Sequence, residues 1–252
     1  MSKYFYSLFC CILISSCVSP KEILYLQDAE QYANKEISYS NARILPNDVL
    51  RITVSALVPE SVIPYNKVSA SAGGVSVDLL RLEGYLVSEN LTINFPILGE
   101  LSVVNMTTQD FSKFLKKKLE DEGHLRNPSV DVRLINAKVT VLGQVNQPGT
   151  YNFTEQNITL LQALGYAGDL TINGKREDIM IMRDDEGVRQ ITHIDLTTAD
   201  WLEGPYNFIK PNDVIIVNPN NPKVKSAGFI GNVGTLLSVV SILLTTVVLI
   251  TK

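Results

Sequence analysis

Pro46-Asn47-Asp48-Val49-Leu50-Arg51-Ile52 reads as a turn that feeds directly into a strand, and the device returns at Pro211-Asn212-Asp213-Val214-Ile215-Ile216-Val217. Proline presets φ for the turn, asparagine tolerates a left-handed backbone, and aspartate can bond the amides that follow. The β-branched run after each turn then continues as a strand. The two copies are a recurrent local solution, not a duplicated domain.

Around the first copy, Gly84-Tyr85-Leu86-Val87 and Thr92-Ile93-Asn94-Phe95-Pro96 flank the polar Ser88-Glu89-Asn90 and predict a hairpin. Between them and the first turn, residues 55–82 are rich in Ser, Ala and Gly and read as an excursion, with a short helix near Asp78–Leu82. Thr107-Thr108-Gln109-Asp110 has the form of a capping box. Phe111, Phe114, Leu115 and Leu119 then mark one apolar face of a helix to about Glu120. Val130, Val132 and Leu134 alternate with Asp131 and Arg133 as a half-buried strand.

A second module starts near Ala137. Lys138–Gly143 reads as a strand and Gln147-Pro148-Gly149 as a turn. Thr159 caps a short helix that buries Leu160, Leu161 and Leu164, with Gly168 just past its end. Ile179–Arg183 and Val188–Ile194 flank Asp184-Asp185-Glu186-Gly187 as a hairpin. Strands mixed with one or two helices in each module predict an α+β fold and not a doubly wound sheet.

The chain of 252 residues is 45% apolar and 19% charged, with 22 Lys plus Arg against 26 Asp plus Glu. That is enough to bury one or two cores, and the mild acidity excludes a nucleic-acid binder with a basic surplus. All three cysteines, Cys10, Cys11 and Cys17, lie in the first 17 residues, so the rest of the chain can form neither a disulfide nor a thiolate zinc site.

The two ends point to membranes. Lys3, an apolar stretch to Ile14, and Ser15-Ser16 before Cys17 have the parts of a secretory leader, too short to span a bilayer. Ile14-Ser15-Ser16-Cys17 resembles the lipobox of bacterial lipoproteins, which implies lipidation at Cys17 after removal of residues 1–16. Val18, in place of an aspartate that retains some lipoproteins at the inner membrane, favours the outer membrane. Residues 17–41 read as a tether. At the other end, no charge occurs from Ser226 to Thr251. About 24 residues at 1.5 Å each give roughly 36 Å, which predicts a transmembrane helix over 226–251. Gly228, Gly231, Gly234, Thr235, Ser238, Ser241 and Thr245 recur on one arc of roughly 140°. Such a stripe fits either close helix–helix packing or the wet side of a ring of helices, and both require self-association.

Taken together, these residues resemble the Wza-type polysaccharide export proteins, which pair an export domain with soluble-ligand-binding β-grasp (SLBB) domains. The matching stretches are Pro46–Ile52; Phe95-Pro96-Ile97-Leu98-Gly99-Glu100-Leu101 with Asn127-Pro128; and Val141–Val145 with Gln147-Pro148-Gly149-Thr150-Tyr151 and Leu160–Gly168. The resemblance implies an export domain over 42–136, one SLBB domain over 137–219, and then the terminal helix. It further implies an outer-membrane lipoprotein that assembles into a ring-shaped homo-oligomer and conducts capsular or extracellular polysaccharide. Its inner-membrane partner would be a polysaccharide co-polymerase of the tyrosine-kinase type. A non-pore adaptor bridging the envelope, with the terminal helix in the inner membrane, is the alternative. The usual Pro-Gly-Asp of the family is Pro-Asn-Asp at both turns here, and Leu91 stands where a turn glycine is typical.

No catalytic set is legible. His124 and His193 are in no metal-ligand spacing, and no nucleophile elbow, phosphate loop or dinucleotide fingerprint occurs. The expectation is a non-enzyme without metal or cofactor.

Overall fold

The structure, a computed structural model, describes residues 21, 23–37, 39, 41–67, 83–185, 187–226 and 233–250. The leader over 1–16, Cys17, the expected short helix near Asp78–Leu82, and Gly228 and Gly231 lie outside the described residues.

The first module comprises β1 (Val49–Ser55), β2 (Tyr85–Leu86), β3 (Thr92–Phe95), β4 (Gly99–Ser102), α1 (Thr108–Asp121) and β5 (Ser129–Leu134). β1 lies between β2 and β5, antiparallel to both, while β3 and β4 form a separate hairpin. Period-two alternation sends Leu50, Ile52 and Val54 inward from β1, where they meet Phe111, Leu115 and Leu119 of α1. The Thr107 hydroxyl accepts from the Asp110 amide at 3.1 Å and the Asp110 carboxylate accepts from the Thr107 amide at 3.3 Å. This capping box satisfies two donors at the helix start.

The expected hairpin between 84–87 and 92–96 does not form. β2 gives its edge to β1, with Val49 opposite Leu86 and Leu50 opposite Tyr85. Hydrogen bonds from the Val87 amide to the Asp48 carbonyl, and from the Asn47 amide to the Val87 carbonyl, extend that pairing to the Pro46 turn. Leu91, at φ +54°, completes a tight turn that leads the chain away from β2, so β3 pairs with β4. The 55–82 excursion carries an unforeseen 3-10 helix, Pro59–Tyr65, which buries Val62 and Tyr65. Phe114 is exposed and stacks on Phe111, so the apolar stripe of α1 is narrower than its spacing implied.

The second module contains β6 (Lys138–Gly143), β7 (Gly149–Asn152), β8 (Ile158–Thr159), α2 (Leu160–Tyr166), β9 (Gly174–Asp185), β10 (Val188–Ile194), β11 (Phe208–Ile209) and β12 (Val214–Pro219). Its five-stranded sheet has the order β10-β9-β12-β6-β7, with β12 parallel to β6 and antiparallel to β9. β8 and β11 pair by themselves. Val139, Val141, Ile179, Ile181, Ile215 and Val217 face α2, which buries Leu160, Ala163 and Leu164. Leu161, expected inside, is exposed, and Ala163 takes the inward position. Gly143 has φ +90°, and a Cβ there would stand 2.1 Å from the Val217 carbonyl oxygen, so the parallel strand approaches as it does only over glycine.

Residues of the expected tether are fastened to this module. The Leu26 amide donates to the Leu196 carbonyl (3.0 Å), the Gln27 amide to Thr197 (2.8 Å), and the Ala199 amide to the Asp28 carboxylate (2.7 Å). A 3-10 helix, Ala29–Tyr32, follows.

Beyond β12 come α3 (Asn221–Ser226) and α4 (Val233–Ile250). The expected transmembrane helix over 226–251 is overturned: among the described residues, no helix is long and apolar enough to cross a membrane. The expectation counted about 24 residues in one helix; described over Val233–Ile250, α4 extends about 27 Å at 1.5 Å per residue, short of a hydrocarbon core of roughly 30 Å.

Candidate functional site

A cleft of about 250 Å³ opens between the two modules. β5 supplies its floor: alternation buries Val132 and leaves Asp131 and Arg133 outside, where Arg133 Nε donates to Asp131 Oδ2 at 2.9 Å. The Phe153–Gln156 loop after β7 forms one wall, and Pro211 of the second turn closes the end. Along the same face of the first sheet, register sets Arg51 opposite Arg133, Thr53 opposite Asp131 and Ser55 opposite Ser129. These six side chains line a shallow groove of about 290 Å³ that continues from the cleft. It offers two guanidinium groups, one carboxylate and three hydroxyls. That array can exchange hydrogen bonds with a hydrated, hydroxyl-rich chain.

Both histidines have side-chain partners. His193 bonds the Asp178 carboxylate, which also accepts from Lys175 at 3.0 Å, and these two contacts hold that carboxyl below its usual range. His124 Nδ1 lies 3.1 Å from the Tyr65 hydroxyl. Among the described residues no group of three or more His, Cys, Asp or Glu could hold a metal ion.

The two Pro-Asn-Asp turns repeat one backbone conformation. Asn47 and Asn212 adopt φ +68° and +69°, as their type predicts. The aspartates, however, reach backward and not forward: Asp48 accepts from the Leu45 amide at 2.8 Å and Asp213 from the Lys210 amide at 2.9 Å. Both are buried, at 3% and 1% exposure. Asp213 receives the Arg183 guanidinium, Nε at 3.0 Å and Nη2 at 2.7 Å. Arg183 is further satisfied by the Pro205 and Phe208 carbonyls and lies over the Tyr206 ring. Burial raises the Asp213 carboxyl, and Arg183 opposes that rise without cancelling it. Asp48 has no such cation, and burial pushes its carboxyl up to about 6. Pro148 and Gly149 turn the chain into β7 beside Tyr151, whose hydroxyl donates to the Gln147 carbonyl. Of all these turn residues only Pro211 reaches the cleft.

On α4, Gly234, Ser238, Ser241 and Thr245 are exposed, and Thr235 lies on the same helix. Ser238 Oγ donates to the Gly234 carbonyl (2.8 Å) and Thr245 Oγ1 to the Ser241 carbonyl (2.7 Å), so these hydroxyl protons are spent within the helix. Leu237, Val240, Ile242 and Leu249 are exposed on it as well.

Sequence reasoning missed the cleft, because its wall and floor come from different modules. Arg183 left a signal: it shares the inward register of Ile179 and Ile181.

Residues 37–135 match the family described as Polysaccharide biosynthesis/export protein, and residues 138–192 match the SLBB domain. The two matches run consecutively and together take in more than half of the chain. The chain carries a polysaccharide biosynthesis/export domain followed by an SLBB domain, the pairing of Wza-type export proteins. The export-family match contains all of β1–β5 and α1, hence the whole polar groove, whereas the SLBB match ends before β12. Two relatives carry the name EPS I polysaccharide export outer membrane protein EpsA. That of Ralstonia solanacearum is 24% identical over 202 residues, covering 76% of this chain and 51% of the relative. That of Ralstonia nicotianae is 30% identical over 152 residues, covering 56% of this chain and 38% of the relative. The chain thus spans about half, or less, of the length of these relatives.

Proposed function

We propose that this protein exports polysaccharide as a subunit of an outer-membrane-attached oligomer, whose folded modules enclose a polar passage for the polymer. The observation that carries this reading is the Arg51–Arg133 groove, an exposed polar sheet face running into the intermodule cleft, within the part that matches the export family. A polysaccharide must never be stripped of water without replacement partners, since each unsatisfied hydroxyl costs several kcal/mol. Hydroxyls and flexible arginines on a groove provide many weak, exchangeable partners, which suits passage better than retention.

The outer-membrane assignment is supported by the printed names of the two Ralstonia relatives and by the lipobox-like residues before Cys17. Lipidation at Cys17 attaches the chain to the lipid bilayer. The other partners are further copies of the chain, the polysaccharide itself, and an inner-membrane co-polymerase of the tyrosine-kinase type that delivers it. Chemistry is left to those partners; this chain transports without catalysis.

Deleting the protein in its host should abolish surface polysaccharide and leave polymer inside the envelope. Complementation with Arg51→Glu/Arg133→Glu should restore a folded protein with export lowered several-fold. Electron microscopy of detergent-extracted particles should show closed rotational symmetry. Normal surface polysaccharide in the deletion strain, or a monomeric particle, refutes the reading.

A further inference from the structure

Arg176 and Arg183 are both carried by β9 and both buried, at 6% and 3% exposure. Arg183 is answered by a carboxylate and two carbonyls. Arg176 is not. Its Nη1 reaches the Gly174 carbonyl at 3.4 Å, its guanidinium lies 5.3 Å from the centre of the Tyr25 ring, and its Nε has no hydrogen-bond partner. The Tyr25 hydroxyl donates to Asp169 at 2.6 Å and is itself a neutral partner for the Arg176 guanidinium. No carboxylate among the described residues pairs with Arg176. A buried cation left this way is destabilising unless an anion from outside completes it.

Arg176 lines a cavity of about 380 Å³, with Lys175 beside it, Glu177 also on its wall, and Ile23, Ile172 and Pro222 as its apolar part. Lys175 is shared with Asp178. The cavity thus joins a buried guanidinium that has no carboxylate partner, and whose Nε is unsatisfied, to a greasy surface. We propose that it binds the phosphate of an anionic lipid headgroup, with Arg176 as the buried contact and the apolar wall against the glycerol and first methylenes.

Its position favours a lipid over a stretch of acidic glycan. Ile23 stands six residues after Cys17, a distance the chain spans in at most about 20 Å. Asn220–Pro222, also on its wall, lead into α3, and the chain continues to α4 with its exposed Leu237, Ile242 and Leu249. The cavity is therefore lined by residues near in sequence to Cys17 and to α4, while the polar groove lies on the first module. The inference rests on the proposed function only through lipidation at Cys17, which would hold the cavity at a bilayer surface.

The test uses the full chain with Cys17→Ser, so that no acyl chain contributes, and vesicles of phosphatidylglycerol or of phosphatidylcholine. Flotation should show about tenfold tighter binding to phosphatidylglycerol, the worth of one charge-assisted contact. Arg176→Gln should bring that ratio close to one, with phosphatidylcholine binding unchanged. Lys117→Gln, on the exposed side of α1, should leave the ratio as it is. Should Arg176→Gln fail to fold, hydrogen exchange on the unmutated chain reads the same site: dihexanoyl phosphatidylglycerol should protect residues 172–177. No preference, or no protection, overturns the proposal. So does inorganic phosphate competing at the lipid's own concentration, or Arg176-dependent binding of trigalacturonate in place of vesicles. A chain that keeps the lipid preference yet forms no ring refutes the conduit and leaves this site standing.

Discussion

The turns at Pro46–Asp48 and Pro211–Asp213 share their sequence, a left-handed asparagine and a carboxylate that reaches back three residues, yet they stand in opposite electrostatic surroundings. In the second module, β9 threads Arg183 under the turn and neutralises Asp213. In the first, the bend after β5 offers Asn136, whose side-chain amide spans the Val49 amide and the Asn47 carbonyl, and Asp48 keeps its charge alone. The backbone of such a turn is dictated locally, within seven residues. What the buried carboxylate costs is decided by whichever strand passes beneath it.

Breaking the ion pair should have the largest effect. Arg183→Ala leaves Asp213 buried and uncompensated, and should lower unfolding free energy by about 3–5 kcal/mol in urea titrations. The double change Arg183→Met/Asp213→Leu should recover most of that loss, because no charge is then left inside. At the first turn the sign reverses. Folding raises the Asp48 carboxyl from 3.8 to about 6, so the folded chain favours the protonated form. This group's favourable contribution is complete below about pH 4 and is lost as pH rises through 6. Asp48→Asn, which retains an oxygen for the Leu45 amide, should therefore be more stable than the parent by about 3 kcal/mol at pH 7 and close to it at pH 4. Thermal melts at the two pH values check this. Smallest, and equal in both modules, should be the loss from Asn47→Ala and Asn212→Ala, about 1 kcal/mol each, since both strain only a left-handed residue. Unequal losses would show that the turns differ in backbone as well as in charge.

Local grammar in the sequence foretold both turns, both threonine-capped helices and the hairpin around residues 184–187, because the hydrogen bonds involved join residues only a few positions apart. It failed where partners are distant. Nothing in Tyr85–Val87 says that its edge is taken by β1, and nothing in Val214–Val217 announces a parallel neighbour across Gly143. Apolar content alone suggested a span across a bilayer at the C-terminus, but content does not fix how long a helix is, and the described α4 has 18 residues. For the groove, the outward Asp131 and Arg133 were readable from alternation; their register with Arg51 and Thr53 was not. Arg176 escaped because the register shift near Val217–Pro219 breaks the alternation that would have marked it as inward.

The position of β12 has a consequence for how the protein is made. A polypeptide emerges from the ribosome amino end first, so the first module holds all its strands once Leu134 is out. The second cannot close at that stage: β6 and β9 are both synthesised early but meet only through β12, which arrives some 30 residues after β9 ends. Until then their main-chain edges are open to any extended segment nearby. A truncation before Val214 should therefore yield a folded first module trailing an aggregation-prone remnant, and growing chains should depend on a holding chaperone late in synthesis.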